Sequence, residues 1–172
     1  MSLAGLLAQQ NAEILAGVAL TQLVNPGAPV IVGGTSAIMD MRTGCLAMGS
    51  PEVSRLTSAT IQMAKFYNLP ARAGCSNTDA HLADAQAGFE SALTLMTAIR
   101  NGTNFVLHAA GILGSYSAMS FEKFMIDEEL CRMVIETIKP ITITAESIDT
   151  DFIKEVGIGG DYLMQTKTLE QC

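Results

Sequence analysis

Three short stretches carry most of the residues able to do chemistry. In MDMRTG, Asp40 and Arg42 stand two apart beside Thr43, a spacing that suits either a clamp on a substrate carboxylate or an ion pair bracing the turn. In NTDAHLADAQAGFE, Asp79, His81 and Gln86 are candidate binding groups. Asp84 or Asp79 there fits a helix cap favoured by the helix dipole, and Glu90 lies one helical turn after Gln86 on the same face. In FVLHAAGIL, His108 stands where an apolar run ends and a small-residue loop begins. An imidazole there suits proton transfer or hydrogen bonding to a carboxylate; its structural alternative is a core histidine bonded to a backbone carbonyl.

Other patterns narrow the chemistry. VGGT fits neither dinucleotide nor phosphate-loop spacing, and GIGG at 157–160 reads as a plain turn before an anion site. With two histidines in the chain, no zinc-ligand spacing is present and no protein-bound metal is expected. No nucleophile elbow or Ser-His-Asp order stands out.

The elements that must position these loops alternate. Helical periodicity runs from residue 3 to about 24, from 51 to 67, from 83 to 100, from 120 to 138 and from 147 to 156. PVIVGG, LPARAGC and NFVLHA read as short buried strands, and PITIT as a weaker fourth. Strict alternation implies parallel strands joined by crossovers, the α/β class. The loops after strands are long and those after helices short. This asymmetry suits a barrel or an open sheet with function beyond the strand C-termini, and it places His108 at a strand end.

Composition sets the bounds. The 172 residues suffice for one domain, 1–172, in which Met1-Ser2-Leu3 has the look of an expression scar. Charged residues make up 16%, below the roughly 25% of ordinary soluble domains, so some apparent surface is expected to be covered by more protein. A net charge of -7 without a basic cluster argues against nucleic acid. No uninterrupted apolar run approaches a membrane span, and the N-terminus shows no signal peptide, so a cytoplasmic protein without a membrane partner is expected. The four cysteines share no CxxC spacing and read as reduced thiols.

Taken in order, DMRTG, GSPE, TDAHLADAQAGFE, HAAGIL and SFEKFMIDEE resemble the trimethylamine methyltransferase family, which includes glycine betaine:corrinoid methyltransferases. The resemblance covers essentially the whole chain and implies a partial (β/α)8 TIM barrel, roughly the C-terminal half of such a barrel within a far longer protein. A half-barrel leaves strand edges and an apolar face open, so a homo-oligomer is expected. The family moves a methyl group from a small methylated amine to cobalt(I) of a corrinoid (cobalamin) carried on a separate partner protein. The barrel contributes orientation, a dry site and charge placement. No pyrrolysine is visible, which favours a quaternary amine.

Carried over by position, Asp40, Arg42 and Thr43 match the first motif, Asp79, Asp84, Gln86 and Glu90 the second, and His108, Ala110 and Gly111 the third. His81 occupies a place associated with Lys, and Gly114-Ser115-Tyr116 departs from the acidic residue and glycines of many relatives. So do Asp161 and Lys167, in a segment that often carries histidines. On this resemblance His108 is the catalytic candidate, orienting the substrate or leaving amine. Asp40, Arg42, Thr43, Asp79, His81, Gln86 and Tyr116 are the substrate-binding candidates. Trimethylammonium groups are held by aromatic faces, and Tyr116 and Tyr162 are the aromatic residues in mouth segments. Two other readings stay open: an unrelated α/β-barrel enzyme acting on a small carboxylate or phosphate ester, and an inactive binding or structural module.

Overall fold

The structure, a computed structural model, describes residues 2–171. The chain falls into two compact units, Met1–Ile138 and Lys139–Cys172.

The first unit is built on four long helices, α1 (Leu3–Val24), α2 (Pro51–Phe66), α3 (Ala85–Arg100) and α4 (Phe121–Ile138). Each begins where a short oxygen-bearing side chain takes up an orphan amide of the first turn. Ser2 accepts from Gly5, Ser50 from Val53 ahead of Pro51, Asp84 from Ala87 and Ser120 from Lys123. Asp84 is therefore the helix cap that its position suggested.

Between the helices lie β1 (Arg72–Gly74) and β2 (Phe105–Leu107), paired in parallel. Val32 adds a single parallel bridge to Ala71 on the other side of β1. PVIVGG thus contributes one bridge rather than a full strand. A second, antiparallel pair, β3 (Ile112–Leu113) with β4 (Ala118–Met119), folds the loop after β2 into a hairpin that the sequence did not announce. No closed sheet is present among the described residues.

Period-two alternation decides which face of β1 does what. Ala71, Ala73 and Cys75 point into the main core with Ile61 and Ala64 of α2, Leu95 and Ala98 of α3 and Val134 of α4. Their small side chains let the helices approach closely. Arg72 and Gly74 face the other way, toward a cavity at the strand ends. Ile61 is fully buried, and truncating it to Ala would cost about 2–5 kcal/mol.

By length and composition α1 is apolar enough to cross a membrane. The expectation that no span is present rested on uninterrupted runs, and Gln9, Gln10, Asn11 and Glu13 interrupt this one. Gln10 is its one buried residue and donates to Thr60 Oγ1 of α2 at 2.7 Å.

The second unit holds three short helices, α5 (Ala145–Ile148), α6 (Thr150–Val156) and α7 (Thr166–Gln171). The helix expected over 147–156 is split by Asp149, whose φ of 43° lies in the left-handed region. Asp149 caps α6 and pairs with Lys167, which holds its carboxyl below the ordinary carboxylate range. The expected strand PITIT does not form. A strand needs a ladder, and Ile141 and Ile143 stand exposed without one.

Candidate functional site

The three chemistry-bearing loops converge beyond the C-terminal ends of the parallel strands, and two carboxylates tie them together. Asp79 accepts the amides of Met48 (2.7 Å) and Gly49 (3.2 Å) from the first loop. It also accepts the Ser115 hydroxyl from the third at 2.5 Å. Glu90 reaches up from α3 to accept Thr78 Oγ1 (2.6 Å), the Asp79 amide (2.8 Å) and Gln86 Nε2 (2.9 Å). Gly49 is glycine because a Cβ there would lie 2.3 Å from Glu90 Oε2.

Two cavities open at this end of the unit, with Leu46 on the wall of both. The larger, about 560 Å³, gathers five of the sequence candidates: Asp40, Thr43, Asp79, His81 and Gln86. Its wall is largely apolar, with Leu46 and Ala47, and the third loop adds the hydroxyls of Ser115 and Ser117. His81 and Gln86 are exposed. Arg42 is not in the wall. Its side chain is 91% exposed and pairs with Asp40 at 3.6 Å, while its amide donates to Asp40 Oδ1 at 2.9 Å. That amide, followed by the guanidinium, holds the Asp40 carboxyl below its ordinary range. The brace within the turn is the alternative this geometry realises.

The second cavity, about 340 Å³, contains the other two candidates, His108 and Tyr116, together with Arg72 and Asn77. His108 is exposed at the lip, not a core histidine, and no hydrogen bond to it is found among the described residues. Its ring meets Tyr116 edge-on, with centroids 5.2 Å apart and planes at 69°. Burial raises the Tyr116 phenol, offset in part by a hydrogen bond from Asn77. Asn77 is 2% exposed, and its Oδ1 has no hydrogen-bond partner among the described residues.

Arg72 was missed as a site residue. It enters the cavity from the start of β1, under a backbone cleared by Gly33, where a Cβ would lie 2.4 Å from Arg72 Cγ. Among the described residues no carboxylate pairs with it. The available signal was a charged residue inside a strand of small apolar ones. Also missed were Lys123 and Asp127 of α4, which form a buried ion pair at 2.5 Å, each 1% exposed. GIGG closes α6 at its C-terminal end, and Gly157 and Gly160 spend their amides on Ile153 and Gly157 carbonyls. It is the plain turn that was expected.

The family profile described as trimethylamine methyltransferase (MTTB) matches residues 1–172. The chain belongs to the trimethylamine methyltransferase family. It is 50% identical over 167 residues to a glycine betaine methyltransferase of Desulfitobacterium hafniense (strain Y51), covering 97% of this chain and 35% of that one. It is 43% identical over 165 residues to a proline betaine:corrinoid methyltransferase of Eubacterium limosum, covering 94% and 34%. The trimethylamine methyltransferase MttB of Methanosarcina barkeri (strain Fusaro / DSM 804) is 36% identical over 166 residues, covering 96% and 33%. The chain thus spans about a third of the length of the curated relatives it matches.

Proposed function

We propose that this chain is part of a corrinoid-dependent methyltransferase whose substrate is a quaternary methylammonium bearing a carboxylate, and that its parallel strands are part of a (β/α)8 barrel. One observation carries the substrate reading: Arg72, without an acidic partner, shares a cavity at the strand ends with the His108–Tyr116 ring pair. A guanidinium fork matches a carboxylate. Aromatic faces attract a quaternary ammonium by about 0.5–2 kcal/mol, and the cation needs no hydrogen-bond donor. Two of the relatives are named for betaines, which carry both groups.

In this reading Arg72 holds the carboxylate and the two rings flank the methylammonium. The C–N bond breaks with its electron pair leaving on nitrogen, so a neutral tertiary amine departs and no acid catalyst is required. The corrinoid of a partner protein supplies the nucleophile when bound. The larger cavity suits that group: Thr43, Gln86 and Ser117 would hold it, because a corrin ring carries primary amides around its rim and these side chains hydrogen-bond amides.

The test is methyl transfer to cob(I)alamin by the full-length protein, followed by the absorbance of methylcobalamin. Glycine betaine and proline betaine should react at least tenfold more efficiently than tetramethylammonium or trimethylamine. Equal kcat/KM for tetramethylammonium would remove the carboxylate from recognition.

A further inference from the structure

We propose that the buried Lys123–Asp127 pair is a positioning device that sets Asn77 and His108 in the wall of the smaller cavity, an inference that rests on the reading of that cavity as the substrate site. Both side chains are withdrawn from water, and burying two charges costs more desolvation than a well-packed apolar pair of the same volume. Simple stability therefore gives no reason for them, whereas their further bonds supply one. Lys123 Nζ donates to Ser91 Oγ at 2.9 Å and to the Ser76 carbonyl at 3.4 Å. Ser91 donates to that same carbonyl at 3.2 Å. Asp127 Oδ2 accepts the amide of Gly111 at 2.7 Å.

The pair thus grips two loops at once. Ser76 immediately precedes Asn77, and Gly111 follows His108 by three residues. Both grips fall on unusual backbone: Ser76 has φ 50°, His108 φ 55° and Gly111 φ 85°. L-residues rarely hold the left-handed conformation unless their surroundings enforce it. Cys131, on the next turn of α4, adds a contact of its thiol with the Ala109 carbonyl at 3.7 Å. One helix face therefore supports the stretch from Ala109 to Gly111 that follows His108.

Two double variants separate geometry from charge. Lys123→Met with Asp127→Leu keeps the volume and removes every bond; Lys123→Gln with Asp127→Asn removes the charges and keeps an acceptor for Gly111 and a group within reach of Ser91. The chain has two histidines, so imidazole NMR reads His108 against His81 as an internal reference. In the apolar variant the His108 resonance should shift or split while His81 stays. In the full-length protein the betaine KM should rise at least tenfold, with kcat changed less. The amide variant should restore both to within about threefold.

A folded apolar variant with an unmoved His108 resonance overturns the proposal, as does an amide variant as impaired as the apolar one. Should a double variant not fold, Ser91→Ala decides. It removes one partner of Lys123 without touching the ion pair, and an unmoved His108 resonance there also overturns it. A moved resonance with an unchanged betaine KM leaves the positioning role standing and removes the carboxylate substrate instead.

Discussion

Asp79 was expected from sequence to bind substrate, and its geometry predicts that losing it first costs stability. Its carboxylate is the joint acceptor of two amides, those of Met48 and Gly49, whose residues are themselves buried. Asp79→Ala leaves both N–H groups without a partner, at about 1–3 kcal/mol each. The third donor, Ser115, loses little, because its hydroxyl also lies 2.9 Å from the Leu46 carbonyl. Asp79 is half-buried, so water repays part of the loss, and about 2–4 kcal/mol is the expected cost. Asp79→Asn keeps one acceptor but turns an NH2 toward the amides, for about half that. Native-state hydrogen exchange is the assay of choice, because it reads the affected amides directly. Protection at Met48 and Gly49 should fall by about 30-fold to 1,000-fold, on about 1.4 kcal/mol per decade. The β1 amides should retain theirs. Unchanged protection in Asp79→Ala together with abolished betaine binding would refute the loop-tie reasoning and return Asp79 to the role of ligand.

Three other consequences are measurable. Arg72→Met should raise the betaine KM about 10- to 100-fold, the worth of about 1.5–3 kcal/mol in charge-assisted hydrogen bonds, and leave trimethylamine kinetics unchanged; an equal loss for both substrates would remove the carboxylate role. Burial, reinforced by Cys131, pushes the Cys75 thiol up from an ordinary 9.0 to about 12. The neutral thiol is thus favoured by the folded state, a contribution fully present below pH 9 and lost as pH rises toward 12, by about 1.4 kcal/mol per pH unit. Urea titrations of Cys75→Ala should show a shallower alkaline decline than the parent, and parallel curves would contradict the assignment. Gly49→Ala should lower the thermal midpoint by the equivalent of about 1–3 kcal/mol, because its Cβ meets a Glu90 carboxylate fixed by three donors; an unchanged midpoint in thermal circular dichroism would show that Glu90 moves freely.

The helices were legible because periodicity, caps and stops are local properties. Asp84, Ser50-Pro51 and the stop at Asn101-Gly102 announce themselves within a few residues of sequence. Strand ends were legible to the same degree: His108, expected at a strand end, follows β2 directly and lines a cavity. Partnership was not legible. PITIT has the composition of a strand but no ladder, and a two-residue strand such as β3 leaves no period to detect. Arg72 looked like an ordinary residue of LPARAGC because nothing local reveals that β1 turns alternate residues into the core and the cavity. Lys123 and Asp127 sit at i,i+4 in a helix rich in charge, where such a pair is normally solvated. Their burial depends on Ser76, Ser91 and Gly111, which lie 47, 32 and 16 residues away from their partners.

Backbone strain ties these observations to one another. Among the described residues six non-glycine positions have positive φ, and four of them, Ser76, His108, Ser115 and Tyr116, lie in the two loops that follow β1 and β2. The remaining two, Asn68 and Asp149, sit at helix ends, where left-handed residues are common. At about 1–3 kcal/mol each, the four loop residues store strain comparable to the net stability of a small domain, about 5–15 kcal/mol. Loops left to themselves would relax. Each strained site instead meets a charged group drawn from elsewhere in the unit: Ser76 meets Lys123, Ser115 meets Asp79, and the His108 loop meets Asp127 through Gly111. Tyr116 follows Ser115 directly and meets the His108 ring edge-on. The buried charges and the unusual backbone are therefore one construction. Removing the charges without relieving the strain should loosen the cavity wall before it unfolds the core around Ile61 and Leu95, since that core draws on none of these bonds.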